Sequence, residues 1–383
     1  MVGRRGLLSV VAGAMLAFHA GSALAGDYRP VVCGGAKSYI GGPVHPPIVV
    51  EPPTSGAETG FDPLSASRLD AAFAKAVATT SAPAMTAAVF SPGRGFWSAS
   101  TASADRPLLF WASAGKTLTA IVILQLVEEE RLSLSDPVSK WIKAVPNGDV
   151  ITVRDLLAHT SGLFSANEDL KARAAHRGHS LAEDLTILRR HGAMFCPGER
   201  WRYSNTGYAL LGAIIEKVDG RVYPDAITER VIKPLGLERL RALRGGETEA
   251  HTSPLVSTKA APIEPAWAGA AGPVVGTADD MVRVWSALLA GRLLKPQTVQ
   301  AMFAKPYPMF DPGAFYGLGV MVFQVPQPDG GQDLWLGHAG GTPGAGAVAL
   351  YSPADQTFVA VALTGDGSAT ATANLLLQQV RRP

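Results

Sequence analysis

The sequence LLFWASAGKTLTAIVILQLVEEE, residues 108–130, decides how this chain is interpreted. Its first four residues are apolar and predict a strand end, and from Leu118 onward apolar residues recur with the 3.6-residue period of a half-buried helix. Ser113 and Lys116 therefore lie three residues apart at the predicted helix start, on one face. A serine becomes a strong nucleophile when a neighbour removes its proton, and a desolvated amine can do so. By itself the pattern is weak, because Ser113 also suits a helix cap.

Two later segments give this pattern its weight. Tyr203-Ser204-Asn205 follows a Pro-Gly turn and opens a predicted helix, and His338-Ala339-Gly340-Gly341 ends an apolar stretch. In this order, Ser-x-x-Lys, Tyr-x-Asn and His-x-Gly resemble the motifs of the penicillin-recognising serine hydrolases. That family comprises the class C β-lactamases, the D-alanyl-D-alanine peptidases, the D-aminopeptidases and the lactamase-like esterases. The resemblance extends over about residues 62–383, and further matching segments are residues 124–141, 151–163, 277–289 and 316–319.

The resemblance implies how the catalytic side chains divide the work. Ser113 would be the nucleophile and Lys116 its base, provided that burial or nearby charge lowers the lysine pKa from about 10.4. An exposed lysine is the alternative. Tyr203 would move protons, either as a phenol with a depressed pKa or as a relay to Lys116.

The remaining motif residues would bind the substrate. Asn205 would accept a hydrogen bond from Lys116 and donate to a substrate amide carbonyl, with helix capping as the alternative. The backbone N–H groups of Ser113 and Gly341 would form the oxyanion hole. Gly340 and Gly341 would let a substrate approach the strand edge closely.

His338 stands where many β-lactamases carry a lysine. A histidine is about half charged near pH 6.5, so it would anchor a substrate carboxylate more weakly than lysine and in a pH-dependent way. Ala339 also removes a hydroxyl that is common at the middle position of this motif. Both departures favour a peptidyl substrate held elsewhere, or a neutral ester, over a β-lactam. A purely structural His338 is the alternative.

Predicted strands at both ends of the chain enclose a mainly helical middle segment. This order predicts an α+β fold of the β-lactamase/transpeptidase type, in which helices flank an antiparallel sheet and a helical lobe is inserted. The sheet lobe would take residues 61–112 and 255–383, and the helical lobe residues 113–254. Residues 26–60 are rich in Gly and Pro and predict a linker or loose arm. Residues 1–25 predict a signal peptide.

The export prediction rests on the first 25 residues. Arg4-Arg5 precede an apolar run from Leu7 to Phe18, and Ala23-Leu24-Ala25 offers small residues for cleavage. The paired arginines also fit the twin-arginine route. After residue 25 no run of about 18 apolar residues follows, so we expect a periplasmic or secreted protein without a membrane span.

The cysteines and one pair of histidines give only weak evidence for a disulfide or a metal site. Cys33 and Cys196 are the two cysteines, and export permits a disulfide between them. Their spacing has no signature, and a buried free thiol at Cys196 is the expectation. His176 and His179 have a metal-ligand spacing, but the surrounding lysine and arginines favour a solvated basic helix.

Composition and the rival motifs narrow the function further. The 383 residues are 47% hydrophobic and carry a net charge of +2. Such a small charge does not indicate the strong positive electrostatic field that is typical of nucleic-acid-binding proteins. Gly115-Lys116-Thr117 ends like a P-loop, but Phe110 occupies the first glycine position. Ser161 lies in a segment that the resemblance makes a structural loop.

The resulting hypothesis is an exported serine hydrolase that cleaves an amide or ester through an acyl-enzyme. The expected substrates are small molecules or peptides, and no cofactor or metal is implied. A D-amino-acid peptidase or esterase is favoured by His338 and Ala339. A class C-like β-lactamase is the first alternative. A catalytically idle cell-wall-binding or sensing domain is the second, and the intact catalytic motifs speak against it.

Overall fold

The computed structural model describes residues 30–54, 56, 58–101, 107–174, 178–244, 253–259, 261–262, 265–327 and 330–381. The predicted signal peptide and His176 lie outside these residues.

The helices are α1 (Pro63–Thr80), α2 (Lys116–Glu128), α3 (Val153–Leu157), α4 (Leu170–Ala174), α5 (Leu181–His191), α6 (Asn205–Asp219), α7 (Tyr223–Ile227), α8 (Ala278–Leu289), α9 (Pro296–Met302) and α10 (Ala369–Arg381). The strands are β1 (Met85–Ser91), β2 (Gly95–Ser100), β3 (Leu109–Phe110), β4 (Arg241–Ala242), β5 (Val274–Gly276), β6 (Tyr307–Pro308), β7 (Ala314–Tyr316), β8 (Met321–Pro326), β9 (Gln332–Thr342), β10 (Ala345–Ser352) and β11 (Thr357–Thr364).

One large sheet joins the two ends of the described chain. Its strand order is β2-β1-β11-β10-β9-β8-β7-β6, and neighbouring strands are antiparallel. β1 from the N-terminal part pairs with β11 from the C-terminal part, in a register that runs from Met85↔Leu363 to Phe90↔Phe358. A small second sheet has the order β3-β5-β4. The predicted α+β class, with a sheet assembled from both ends, is confirmed.

Both faces of the large sheet are covered, as the alternation along β11 shows. Phe358, Ala360 and Ala362 belong to the core shared with α2 and α8, while Val359 and Val361 belong to the core under α1 and α10. Successive side chains of a strand point to opposite faces, so β11 supplies both cores at once. This explains why every residue of β11 is buried.

Helix α2 is more deeply buried than its sequence predicts. Residues 116–124 are all buried, whereas the periodicity predicts a half-buried helix. The helix packs between α6, α7 and the turn that precedes it, so its polar-looking face also meets protein. Such a helix lies in a core, and its first residue, Lys116, is therefore removed from water.

The N-terminal arm, residues 30–54, has no helix or strand but is not loose. Lys37 N–H donates to the Pro197 carbonyl at 2.8 Å, and Ile48 N–H donates to the Phe303 carbonyl at 3.1 Å. Ile48 is buried in the main core. The arm thus crosses from the helical segment before α6 to the sheet segment before β6, and the expectation of a loose arm does not hold for these residues.

The expectation of a free thiol at Cys196 is wrong. Cys33 and Cys196 form a disulfide with their Cα atoms 5.7 Å apart. The arm lies along residues 193–199 and so brings together two cysteines that are 163 positions apart in the sequence. None of the described helices is long and apolar enough to cross a membrane.

Candidate active site

A close backbone contact shapes the turn that carries Ser113. β3 ends at Phe110, Ala112 adopts a φ of 46°, and Ser113 follows in a 3-10 turn before α2. A positive φ is uncommon for alanine. Gly272 packs against this point so tightly that a Cβ on it would lie 2.0 Å from the Ala112 carbonyl oxygen. Ser113 lies in the first turn of this 3-10 helix, so its N–H is one of those that have no carbonyl acceptor within the helix.

Lys116 is fully buried and its amine contacts the nucleophile. Nζ lies 3.2 Å from Ser113 Oγ, 2.7 Å from Asn205 Oδ1 and 2.8 Å from the Ala271 carbonyl oxygen. The alternative of an exposed lysine is wrong. Burial lowers the pKa of Lys116 well below its ordinary value, because the charged form loses its hydration.

The three contacts of Nζ fit a neutral amine that accepts a proton. The oxygens of Ala271 and Asn205 can only accept, so they take the two N–H groups of a neutral amine. The lone pair then faces Ser113, whose O–H donates to it. Once the amine has taken this proton, the new N–H points back at the same Oγ. The proton can therefore move without any rotation of a side chain.

Tyr203 places a protonated phenol beside Ser113. The Tyr203 ring lies 4.2 Å from the His159 ring, centroid to centroid, and 4.9 Å from Lys116 Nζ. Burial raises the pKa of Tyr203, and the Ser113 hydroxyl opposes this by a smaller amount. The alternative of a depressed phenol pKa is therefore wrong, and the role of proton donor or relay is left. Tyr203 Oη is buried and has no hydrogen bond of good geometry among the described residues.

Asn205 is oriented by a residue that the motifs did not indicate. Its Oδ1 accepts from Lys116, and its Nδ2 donates to Asn167 Oδ1 at 3.1 Å. Asn167 Oδ1 also accepts from Ser165 Oγ at 2.6 Å, and Ser165 Oγ accepts from the Asn205 N–H at 2.9 Å. The alternative of Asn205 as a helix cap is wrong, because the Ser204 side chain caps α6. By accepting from the NH2 group, Asn167 thus fixes the Asn205 amide with its oxygen toward the lysine.

His338 is not a charged anchor, and this part of the prediction is wrong. The ring is fully buried, with Nδ1 2.7 Å from the Ala339 carbonyl oxygen and Nε2 3.0 Å from Tyr316 Oη. A carbonyl only accepts, so Nδ1 carries the proton and Nε2 accepts from Tyr316. Burial, and then the nearby Lys116, lower the pKa of His338 to about 3. The ring is therefore neutral at physiological pH and faces protein.

The end of β9 offers an open edge to a substrate. β9 pairs with β8 only as far as Gly337, while residues 338–342 continue to pair with β10. Ala339 N–H donates to Met321 Sδ at 3.4 Å, on the side of β8. Residues two apart in a strand direct their N–H groups to the same edge, so Gly341 N–H also points away from β10. The oxyanion hole of Ser113 and Gly341 stays a prediction, and this orientation favours it.

Gly340 packs directly on the nucleophile's turn. A Cβ on Gly340 would lie 2.3 Å from the Trp111 carbonyl oxygen and 2.8 Å from the backbone nitrogens of Ser113 and Ala114. Real Cβ atoms do not approach other atoms this closely. The glycine therefore sets how near β9 comes to Ser113.

Comparisons with known proteins identify the family of this chain. The Beta-lactamase family matches residues 69–381. This chain belongs to the beta-lactamase family. In structure it is similar to a D-stereospecific amidohydrolase from a Streptomyces species, with 31% identity, a TM-score of 0.70, and coverage of 80% of this chain and 97% of that one. It is also similar to a penicillin-binding protein from Bacillus halodurans, with 26% identity, a TM-score of 0.65, and coverage of 76% and 94%.

Curated relatives match over a shorter part of the chain. The Bacillus subtilis (strain 168) protein PbpX, named as a penicillin-binding protein, is 30% identical over 255 residues. That match takes 64% of this chain and 59% of PbpX, so the chain spans less than two thirds of this relative. The comparisons together support a serine hydrolase of the penicillin-recognising type.

In this member of the beta-lactamase family, the structure brings together four of the predicted side chains and leaves one aside. The side chains of Ser113, Lys116, Tyr203 and Asn205 converge. The His338 ring instead forms its hydrogen bond with Tyr316. The motifs missed four further residues that hold the site: Ala271, Asn167, Tyr316 and His159. His159 and Tyr316 lie within the matching segments 151–163 and 316–319, although no role was predicted for them, and Asn167 lies four residues beyond the first of these segments. Ala271 contributes a backbone carbonyl, which no residue type signals.

Two further predictions concern residues outside this site. Ser161 is buried, and its Oγ accepts from Leu163 N–H at 3.3 Å, so it serves a loop. His179 Nδ1 lies 3.5 Å from Asp184. Among the residues that the structure describes, no group of three His, Cys, Asp or Glu could hold a metal ion.

Proposed function

We propose that this protein is an exported serine hydrolase that cleaves an amide or ester bond next to a D-amino acid, through an acyl-enzyme on Ser113. The observation that carries the proposal is the contact of the buried Lys116 amine with Ser113 Oγ at 3.2 Å, with its other hydrogens held by two fixed acceptors. Small molecules and peptides are the substrates that such a site would take.

The acylation step follows from the proton positions. Lys116 takes the proton of Ser113, and Oγ attacks the carbonyl carbon of the substrate. The π electrons of the carbonyl bond move to the carbonyl oxygen. The N–H groups of Ser113 and Gly341 would stabilise this oxyanion, each by about 3 kcal/mol. When the tetrahedral intermediate collapses, the leaving group takes a proton from Tyr203 and the carbonyl re-forms. The proton held by Lys116 then restores the phenol.

Deacylation would use the same groups with water in place of the leaving group. Water loses a proton to the neutral Lys116 as its oxygen attacks the acyl carbon. The bond to Ser113 Oγ breaks, and the proton returns to Oγ. The 3.2 Å contact between Nζ and Oγ serves both directions.

A neutral His338 argues against carboxylate recognition at this position. A charged residue here would attract the carboxylate of a β-lactam, whereas a buried imidazole with a pKa of about 3 supplies no charge. The 31% identity to a D-stereospecific amidohydrolase over most of both chains supports a D-amino-acid amide as substrate. An esterase or peptidase of the same specificity uses the same chemistry.

Export is supported by two independent features. The first 25 residues predict a signal peptide. The Cys33–Cys196 disulfide also suits an oxidising compartment outside the cytoplasm. A periplasmic or secreted location is therefore part of the proposal.

A hydrolysis panel tests the proposal. Purified enzyme would be given D- and L-amino-acid amides, p-nitrophenyl esters and nitrocefin, with Ser113→Ala and the matched control Ser161→Ala beside the wild type. We expect the D-amides and esters to be cleaved by the wild type and by Ser161→Ala but not by Ser113→Ala. Preferred cleavage of nitrocefin would replace the proposal by a class C-like β-lactamase. An absence of Ser113-dependent turnover and of fluorophosphonate labelling would favour the idle domain.

A further inference from the structure

A line of aromatic rings leads from the catalytic phenol to the surface. The ring of Trp201 lies 6.4 Å from that of Tyr203, centroid to centroid, and the ring of Phe310 lies 5.2 Å from that of Trp201. Trp201 precedes α6, whereas Phe310 lies between β6 and β7. The two rings therefore come from separate parts of the fold and meet beside the catalytic tyrosine.

Trp201 is held in place by the buried part of the site. Its ring meets the His159 ring edge to face at 6.0 Å and lies 6.2 Å from the Tyr316 ring. His159 in turn packs on Tyr203. The indole is thus a fixed wall, and its position is coupled to that of the catalytic phenol.

Phe310 sits on a short hydrogen-bonded turn and is largely exposed. Met309 N–H donates to the Ala314 carbonyl at 2.8 Å, and Gln324 N–H donates to the Gly313 carbonyl at 2.7 Å. The turn therefore presents the ring at a defined place. Phe310 is nevertheless 66% exposed, although its edge-to-face contact with Trp201 orients it.

The same turn also lines a concave, largely apolar cleft. The cleft has a volume of about 510 Å³, and the N-terminal arm contributes Val44, His45 and Pro46 to its lining. Met309, Phe310 and Phe315 line it from the side of the turn. Isolated exposed hydrophobic residues are ordinary. Phe310 differs because it contacts Trp201, which lies beside the catalytic Tyr203, and because it also lines the apolar cleft.

We infer that Trp201 and Phe310 form a subsite for an uncharged, apolar group of the substrate, with an aromatic ring as the best fit. Aromatic rings prefer edge-to-face and offset contacts with other rings, and Phe310 offers most of its surface for such a contact. The ring chain ends at Tyr203, so an occupant of this subsite would belong to the substrate bound at Ser113. The inference rests on the proposed function and adds a side-chain preference to it.

The test compares two esters that share a leaving group. The kcat/KM values for p-nitrophenyl phenylacetate and p-nitrophenyl acetate are measured for the wild type, Phe310→Ala and Phe310→Leu. We expect Phe310→Ala to lower the phenylacetate-to-acetate ratio about three- to tenfold, the range of one aromatic contact, and Phe310→Leu to lower it less. The acetate value should change less than twofold. Leu64→Ala is the matched control, because Leu64 is 65% exposed and lies on α1.

The outcomes separate the inference from the proposed function. If the wild type cleaves both esters in a Ser113-dependent way and Phe310→Ala leaves the ratio unchanged, the subsite is refuted and the hydrolase stands. If the ratio falls equally in Leu64→Ala, the subsite is also refuted. If the wild type cleaves neither ester, the proposed function and the subsite fail together.

Discussion

Adding a single methyl group at residue 340 should separate the strand edge from the nucleophile. In Gly340→Ala the new Cβ would lie 2.3 Å from the Trp111 carbonyl oxygen and 2.8 Å from Ser113 N. Ordinary contacts of a Cβ begin at 3.4 Å, so β9 and the Ser113 turn must move apart by about 1 Å. A displacement of this size costs about 100-fold in catalysis. We also expect a loss of about 1–3 kcal/mol in the free energy of unfolding, as for other overpacked sites.

The assay is the second-order rate of Ser113 labelling by a fluorophosphonate, with urea unfolding to show that the variant is folded. Gly207→Ala is the control, because its nearest contact would be 3.7 Å from the Leu156 carbonyl oxygen and it lies inside α6. That control should label at the wild-type rate and gain about 0.5–1 kcal/mol in stability. Labelling of folded Gly340→Ala within threefold of the wild type would refute the argument that this contact sets the site.

Further predictions concern Asn167, the disulfide and His338. Asn167→Ala removes the acceptor that orients the Asn205 amide and should lower kcat/KM about three- to tenfold, the value of one hydrogen bond, without altering the Ser113 dependence of turnover; an unchanged kcat/KM would exclude a positioning role. The Cys33→Ser, Cys196→Ser double variant loses a crosslink that spans 163 positions and should lose about 2–5 kcal/mol in urea unfolding; a loss below about 1 kcal/mol would show that the arm adds little. Because the folded pKa of His338 is about 3 and its unfolded pKa about 6.5, stability should fall as pH drops from about 6.5 toward 3. Between pH 6 and 8 the kcat/KM profiles for anionic and neutral esters should run parallel, and a selective decline for the anionic ester would restore the charged anchor.

The fold could be predicted from local patterns because apolar residues recur in its helices with the helical period and form continuous runs in its buried strands. The apolar runs at β10 and β11 and the helical spacing of α1, α2 and α8 are visible in the sequence, and strands at both chain ends predict the shared sheet. The full burial of α2 was not predictable, since a polar residue such as Lys116 can face water or a core pocket. The path of the arm was also hidden, because composition predicts the absence of helix and strand but not what the backbone contacts.

The site was predictable where side-chain chemistry defines it and not where the backbone does. Ser113, Lys116 and Tyr203 follow from motif order, but the Ala271 carbonyl and the Gly340 contact depend on how distant segments pack. For His338 the sequence gives the residue type but not the burial, and burial decides its charge. The choice between the two Tyr203 roles likewise required the environment of the phenol.

The pH dependence of Ser113 acylation by an uncharged activated ester, measured in the wild type and in Lys116→Met, tests the central claim most directly. Because burial lowers the pKa of Lys116, the wild-type rate should rise with a single ionisation and level off well below pH 10.5. Lys116→Met should lose this ionisation and at least 100-fold in rate while remaining folded. A wild-type rate that keeps rising to pH 10.5, or the same ionisation in Lys116→Met, would contradict a neutral lysine as the base.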